Sequence, residues 1–230
     1  MFTDLTLGID TSTSVCIGAA LGTIEVIGKT VGDTRSHAEL LMNAIDTALQ
    51  VTGTGYGQIK RIGVGVGPGP YTGLRVGIAT ARTLAFTLGV PVKGVCSLDV
   101  LALQFASISC AQPFIVATDA RRKELYWAQY SPEGARVEGP FVSAPEEVTH
   151  GFTVVGPGGV LYKDVFAGRI AGDQVELDAG FLASRLDALP DTGLEPLYLR
   201  EPDAQPAVTR KSTLTGGPLK LPASFEGYDK

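Results

Sequence analysis

Histidine and cysteine are scarce in this chain. It carries two histidines, His37 and His150, and three cysteines, Cys16, Cys96 and Cys110, among 230 residues. There is no C-x-x-C spacing, and the residue one helical turn after His37 is Leu41, so a paired-histidine metal site cannot be built on that helix. An odd number of cysteines in apolar surroundings reads as buried thiols in a reducing compartment, not as disulfides. Basic runs are equally sparse. The longest is Arg121–Lys123, and with a net charge of −5 and a pI near 5.1 the chain does not advertise direct capture of a nucleic-acid backbone. Neither a basic start nor a long apolar leader follows Met1, and Glu25, Arg75 or Arg82 interrupt the most apolar windows well short of the roughly 20 residues a membrane helix needs. The expectation is a cytoplasmic protein with no membrane partner. A Ser-His-Asp set is arithmetically possible, but no G-x-S-x-G elbow accompanies it. His37 then reads as a helix-start or interface residue and His150 as a surface one.

What the chain has in abundance is glycine and proline, 29 and 14 residues, beside 44% hydrophobic content. That mixture points to short strands and helices joined by tight turns. "LTLGID", "SVCIGAAL" and "TIEVIGKTV" read as a three-stranded meander. A helix from 36 to 50 should follow, because Ser36 and Glu39 stand at capping-box spacing. "RIGVGVG" reads as a buried strand, 72–88 as a helix, "VPVKGVCS" as a strand and "SLDVLALQFA" as a helix capped by Ser97, an alternation that extends the sheet in parallel. The order then begins again with "FIVATD", "ELYWAQY", "RVEGPFVS", a short helix at "APEEV" and a strand at "FTVVG". Each half runs from an apolar strand through an aspartate, across a turn, into a second strand. This suggests a duplicated unit with its boundary near residue 110 and a smaller second copy. The expected division is 1–110, 111–201 and a disordered tail at 202–230, where Pro, Gly, Ser and Lys lack periodicity.

Two segments carry candidate chemistry. Asp10, Thr11, Ser12 and Thr13 place a carboxylate, hydroxyls and amides at one strand tip, which could hold phosphate oxygens and a magnesium ion. The alternative is a hairpin whose side chains satisfy their own backbone. The loop "GVGPGPYTG" precedes a helix but has neither G-x-x-x-x-G-K-[ST] nor G-x-G-x-x-G spacing. From Gly73, the small residues Gly77, Ala81 and Ala85 recur every fourth position and form a smooth ridge along which another helix could approach. Apolar residues spread around this helix and around 36–50 more widely than one core stripe requires. They form either an interface patch or a surface covered by the sheet and the second domain.

At these residues the sequence resembles the TsaB (YeaZ) family, the dimerisation subunit of the bacterial machinery that makes threonylcarbamoyladenosine in transfer RNA. The pieces that carry the likeness are "GIDTSTS", "SHAELLMNAID", "GVGVGPGPYTGLRVGIATARTLAFTLGVPVKGVCSLD", "ATDARRKELYWAQY" and "EPLYLR". The resemblance implies an α/β chain of the actin-like ATPase (sugar kinase/Hsp70/actin) fold, with two duplicated lobes and the second reduced. It further implies a noncatalytic paralogue of the TsaD transferase, lacking the metal-binding histidine pair. Pairing with TsaD through the two helices of the first lobe would place His37, Leu40, Leu41, Ala44, Ile45, Gly73, Leu74, Arg75, Gly77, Ile78, Ala81 and Ala85 at the contact. A TsaE-type ATPase and tRNA would join through the complex, and a homodimer would form through the same helices when TsaD is absent. No cofactor is then required. The rival expectation is an ATP-dependent phosphotransferase of the same fold that uses Asp10 and its hairpin for Mg-ATP, with "VGPGG" at 155–159 as the one glycine-rich stretch of the second lobe available to face an adenine.

Overall fold

A computed structural model describes residues 4–31, 37–108, 112–148, 151–172 and 174–200, the side chains at 29–31 and 37–39 excepted. Ser36, Cys110, His150, the tail from 201 and the side chains of His37 and Glu39 therefore lie outside the described residues. The first sheet has the order β3 (Ile24–Val31), β2 (Val15–Leu21), β1 (Leu5–Asp10), β4 (Ile59–Gly65), β5 (Val92–Val95). β1 to β3 run antiparallel as the meander, and β4 and β5 add in parallel. Helices α1 (His37–Thr52) and α2 (Tyr71–Leu88) make the crossovers, and α3 (Ser97–Ile108) leads from β5 to the second sheet. α2 starts directly after Pro70, and at its end Gly89 takes a left-handed φ of 66°. A glycine there closes the last turn without a Cβ clash.

The second sheet is a shorter version of the first. Its order is β8 (Arg136–Ser143), β7 (Leu125–Tyr130), β6 (Phe114–Asp119), β9 (Thr153–Val155), antiparallel except for the β6–β9 pair. Helices flank both mixed sheets, so the α/β two-lobed architecture expected from the sequence is the one observed. The five-residue helix α4 (Pro157–Leu161) occupies the "VGPGG" stretch, which is thereby a helix start.

One helix has no counterpart in the sequence reading. α5 (Ala179–Ser184) follows the second sheet in the chain yet lies across strands β1, β2 and β3 of the first. Asp178 caps it, its Oδ1 accepting from the amides of Gly180 at 2.6 Å and Phe181 at 3.2 Å. The approach is permitted by a row of glycines in register across the sheet: Gly63 pairs with Gly8, Gly8 with Gly18, and Gly18 with Gly28. A Cβ at Gly8 would sit 2.0 Å from the Ala179 carbonyl oxygen, and one at Gly28 would sit 2.2 Å from the Asp178 carboxylate. The row is a groove in the sheet that fits a helix backbone. Residues 179–189, assigned from sequence to the smaller lobe, thus complete the core of the larger one, with Leu182, Leu186 and Leu189 packed against Val95 and Val100.

Candidate functional site

The first candidate is the tip of β1. Asp10, Thr11 and Ser12 are buried. Oδ1 of Asp10 accepts from the Ser12 amide at 2.7 Å and the Ser12 hydroxyl at 2.6 Å, and Oδ2 accepts from the Ser97 hydroxyl at 2.6 Å. The Thr11 hydroxyl donates to the Gly73 carbonyl at 2.8 Å. The glycine-rich loop closes the remaining space. A Cβ on Gly65 would overlap Oδ2 of Asp10 at 1.6 Å, and one on Gly69 would meet the Ser12 carbonyl oxygen at 2.7 Å. Carboxylate and hydroxyls are therefore consumed inside the protein, an arrangement that does not fit a magnesium ion on Asp10. Of the four hairpin residues, Thr13 alone lines a described cavity. That cavity holds about 200 Å³ and is shared with Ser14, Leu101 and Pro157.

Burial pushes the Asp10 carboxyl above its ordinary 3.8, against the lowering effect of Ser12 and Ser97. The folded chain holds this proton to a higher pH than the unfolded chain does. Protonation therefore favours the fold: its contribution is fully present below the unfolded value and is lost as pH rises through the folded value. Asp10→Asn keeps an acceptor for Ser12 and turns a donor toward the Ser97 hydroxyl without burying a charge. Thermal unfolding should show the variant gaining on the wild type as the buffer moves from about pH 4 to neutrality. A parallel pair of stability-pH curves would mean that Asp10 carries no such penalty.

The interface candidates divide sharply. Leu41, Ala44, Ile45, Gly73, Leu74, Gly77, Ile78, Ala81 and Ala85 are buried, and most belong to the first core with Val64 and Ile62. Leu40 is half-buried and Arg75 exposed; the His37 side chain is outside the described residues. The Gly73–Gly77 end of the small-residue ridge faces its own hairpin, for a Cβ on Gly77 would come 2.2 Å from the Thr11 hydroxyl oxygen, while Ala81 and Ala85 join the core. The close approach read from the spacing is real, and the approaching element is the β1–β2 turn. Besides Thr72, Thr83 and Thr87, what α2 presents outward is Tyr71, Arg75, Ala79, Arg82 and Phe86. Their offsets of four, eight, eleven and fifteen residues fall on one stripe of the helix. Phe86 is 89% exposed, Tyr71 is 45% exposed, and Met42 on α1 is 39% exposed. Arg75 stands 4.3 Å over the Tyr71 ring. α2 contains no acidic residue.

A polar knot that the sequence did not single out ties the lobes together. Asp99 on α3 is 3% exposed. It accepts from the Tyr130 hydroxyl at 2.8 Å and pairs with Arg136 Nε at 3.3 Å. Burial raises the Asp99 carboxyl against the pull of Arg136, and burial with the nearby Asp99 charge pushes the Cys96 thiol up to about 12. Cys16 and Cys96 are buried thiols, as expected. Among the described residues there is no group of three His, Cys, Asp or Glu side chains that could hold a metal ion, and no helix long and apolar enough to cross a membrane.

A family model described as "TsaD: tRNA N6-adenosine threonylcarbamoyltransferase" matches residues 32–169. An uncharacterized protein of Mycobacterium leprae is 36% identical over 192 residues, which is 81% of this chain and 51% of that protein, so the chain spans about half the length of that relative. The tRNA threonylcarbamoyladenosine biosynthesis protein TsaB of Haemophilus influenzae is 28% identical over 218 residues, covering 84% of this chain and 92% of its own. Among solved structures, a Pseudomonas aeruginosa protein described as similar to peptidase YEAZ superposes with a TM-score of 0.69 at 26% identity, covering 87% of this chain and 100% of its own.

Proposed function

This chain belongs to the TsaB (YeaZ) branch of the TsaD-type family, and from that premise we propose that it serves threonylcarbamoyladenosine synthesis on tRNA as a noncatalytic subunit. It docks a TsaD-type transferase, which performs the transfer at adenosine 37, and it engages a TsaE-type ATPase and the tRNA through that complex. Alone, it pairs with a second copy of itself through the same helices.

The observation that carries this reading is the outward stripe of α2. A phenylalanine 89% exposed, a half-exposed tyrosine and two arginines without an acidic neighbour on the helix are the residue types that dominate the energetics of protein contacts. A groove of about 460 Å³ beside it, between Arg75, Ile78, Arg82 and the segment Leu194–Pro196, offers room for a partner side chain. That segment is fixed, for the Leu197 amide donates to the Val66 carbonyl at 2.8 Å and the Thr192 amide to the Gly94 carbonyl at 2.9 Å. The enclosed Asp10 supports the noncatalytic part. Mixing the chain with the TsaD-type transferase of the same genome should give a heteromeric complex by size exclusion with light scattering, and the complex should gain transferase activity that neither protein has separately. Turnover of Mg-ATP on an acceptor by this chain alone, abolished in Asp10→Asn, would instead establish a phosphotransferase.

A further inference from the structure

Helix α3, the β7–β8 turn and the segment that follows α5 meet around a cavity of about 360 Å³. Asp99 and Leu103 line it from the helix, residues 133–136 from the turn and residues 188–190 from the segment after α5. It shares no lining residue with the groove beside α2 or with the cavity at Thr13. Each wall is held in place. A Cβ on Gly134 would meet the Ala106 Cβ at 3.1 Å and the Ala102 carbonyl oxygen at 3.2 Å, so the turn sits directly on α3. The Ser131 amide donates to the Ala135 carbonyl at 2.8 Å and the Gly134 amide to the Ser131 carbonyl at 2.9 Å, which closes the turn. On the other side Leu189 is buried with Val95 and Val100, and Lys93 Nζ donates to the Leu186 carbonyl at 2.8 Å.

Two charged groups of this cavity are incompletely answered. Arg136 turns Nε and Nη2 toward the Asp99 carboxylate, each at 3.3 Å, and its Nη1 amino group has no partner among the described residues. Asp99 itself is satisfied, because the Tyr130 hydroxyl donates to Oδ1 at 2.8 Å and the guanidinium reaches both carboxylate oxygens. Glu133 is exposed. Its Oε2 accepts from the Ser131 hydroxyl at 2.7 Å, and it has no cationic partner among the described residues. The cavity therefore presents free guanidinium donors and a separate, uncompensated carboxylate. Leu103, Leu189 and Pro190 add an apolar wall.

We propose that this cavity binds a small zwitterion, an α-amino acid with an aliphatic side chain. Its carboxylate meets Nη1 of Arg136, its ammonium meets Glu133, and its side chain lies on Leu103, Leu189 and Pro190. Charge-assisted hydrogen bonds of this kind are the strong ones. Ligands of one sign fit less well. Asp99 and Glu133 against Arg136 leave one net negative charge, which disfavours a simple anion. A simple cation leaves the Arg136 amino group unanswered and stands beside its charge. The volume lies at the low end of the roughly 300–1,000 Å³ of small-molecule sites, which suits a ligand of few heavy atoms. No lining residue belongs to the outward stripe of α2, so the site stands whether or not a transferase docks there.

Titration of the full chain with L-leucine, followed through the backbone amide shifts by NMR, tests it. Saturable shifts are expected at Leu103, Gly134 and Leu189. Isocaproate, which lacks the ammonium, and isoamylamine, which lacks the carboxylate, should each bind at least about tenfold more weakly. Glu133→Gln alters an exposed side chain and should fold normally. It should weaken leucine by about tenfold while binding isocaproate at least as well as the wild type does, a split that a merely structural role would not produce. Arg82→Ala, on α2, should bind leucine unchanged. The proposal is overturned if the leucine shifts do not saturate or fall away from this cavity, if isocaproate or isoamylamine matches leucine, or if Glu133→Gln binds leucine undiminished.

Discussion

Gly18→Ala is expected to lose a large share of the stability of the fold, through a single added methyl group. Its Cβ would stand 2.0 Å from the Gly180 nitrogen and 2.4 Å from the Ala179 carbonyl carbon. These are backbone atoms, so no rotamer change relieves the overlap, and α5 must lift off the sheet. Ala179, Leu182, Ala183 and Leu186 are buried by that helix and its continuation. Exposing the two leucines forfeits about 1.5–3 kcal/mol each. The sum, about 3–6 kcal/mol, is a large share of the 5–15 kcal/mol typical of a folded domain. Urea denaturation should give a much lower midpoint or no cooperative transition. Gly57→Ala is the control: an added Cβ there meets nothing within 4 Å, and the shift should stay within about 0.5 kcal/mol. Equal midpoints for wild type and Gly18→Ala would remove α5 from the sheet.

Phe86→Glu is expected to do the opposite, leaving the fold intact and abolishing association. With 89% of its surface exposed, the ring contributes little to the monomer, so the melting curve should be unchanged. At the centre of a contact, however, an aromatic anchor is worth at least about 2 kcal/mol, or roughly thirtyfold in affinity. The glutamate also sets a negative charge on a face whose ionisable groups are Arg75 and Arg82. Titration against the TsaD-type transferase should show that loss, and in light scattering the proposed self-association should be lost with it. Undiminished binding would move the contact off α2. Gly77→Arg would be a poor substitute, because its side chain would enter the space filled by Thr11 and unfold the chain.

Much of the architecture was legible because strand and helix periods are local properties. The meander, the parallel extension at β4 and β5 and the second start at β6 follow from apolar runs punctuated by glycine, proline and hydroxyl residues. The paired aspartates at 10 and 119 betrayed the duplication. α5 escaped because six residues give little periodicity to read, although Asp178 before "AGFLAS" carried a capping signal. The outward face of α2 escaped for a different reason. Tyr71, Arg75, Ala79, Arg82 and Phe86 form a stripe at helical spacing, and so do Leu74, Ile78, Ala81 and Ala85. Which of the two meets water depends on the side from which the sheet covers the helix.

The sequence by itself determined the elements, their order, the repeat and the scarcity of metal-binding side chains, since each depends on residue type and spacing along the chain. Only the tertiary structure decided that the Asp10 carboxylate is spent on Ser12 and Ser97, that four glycines align into a seat for α5, and that Asp99, Arg136 and Leu189 share one cavity. These depend on residues up to about 170 positions apart being brought to van der Waals or hydrogen-bond distance, and close contact at that separation is set by packing, which no local pattern records.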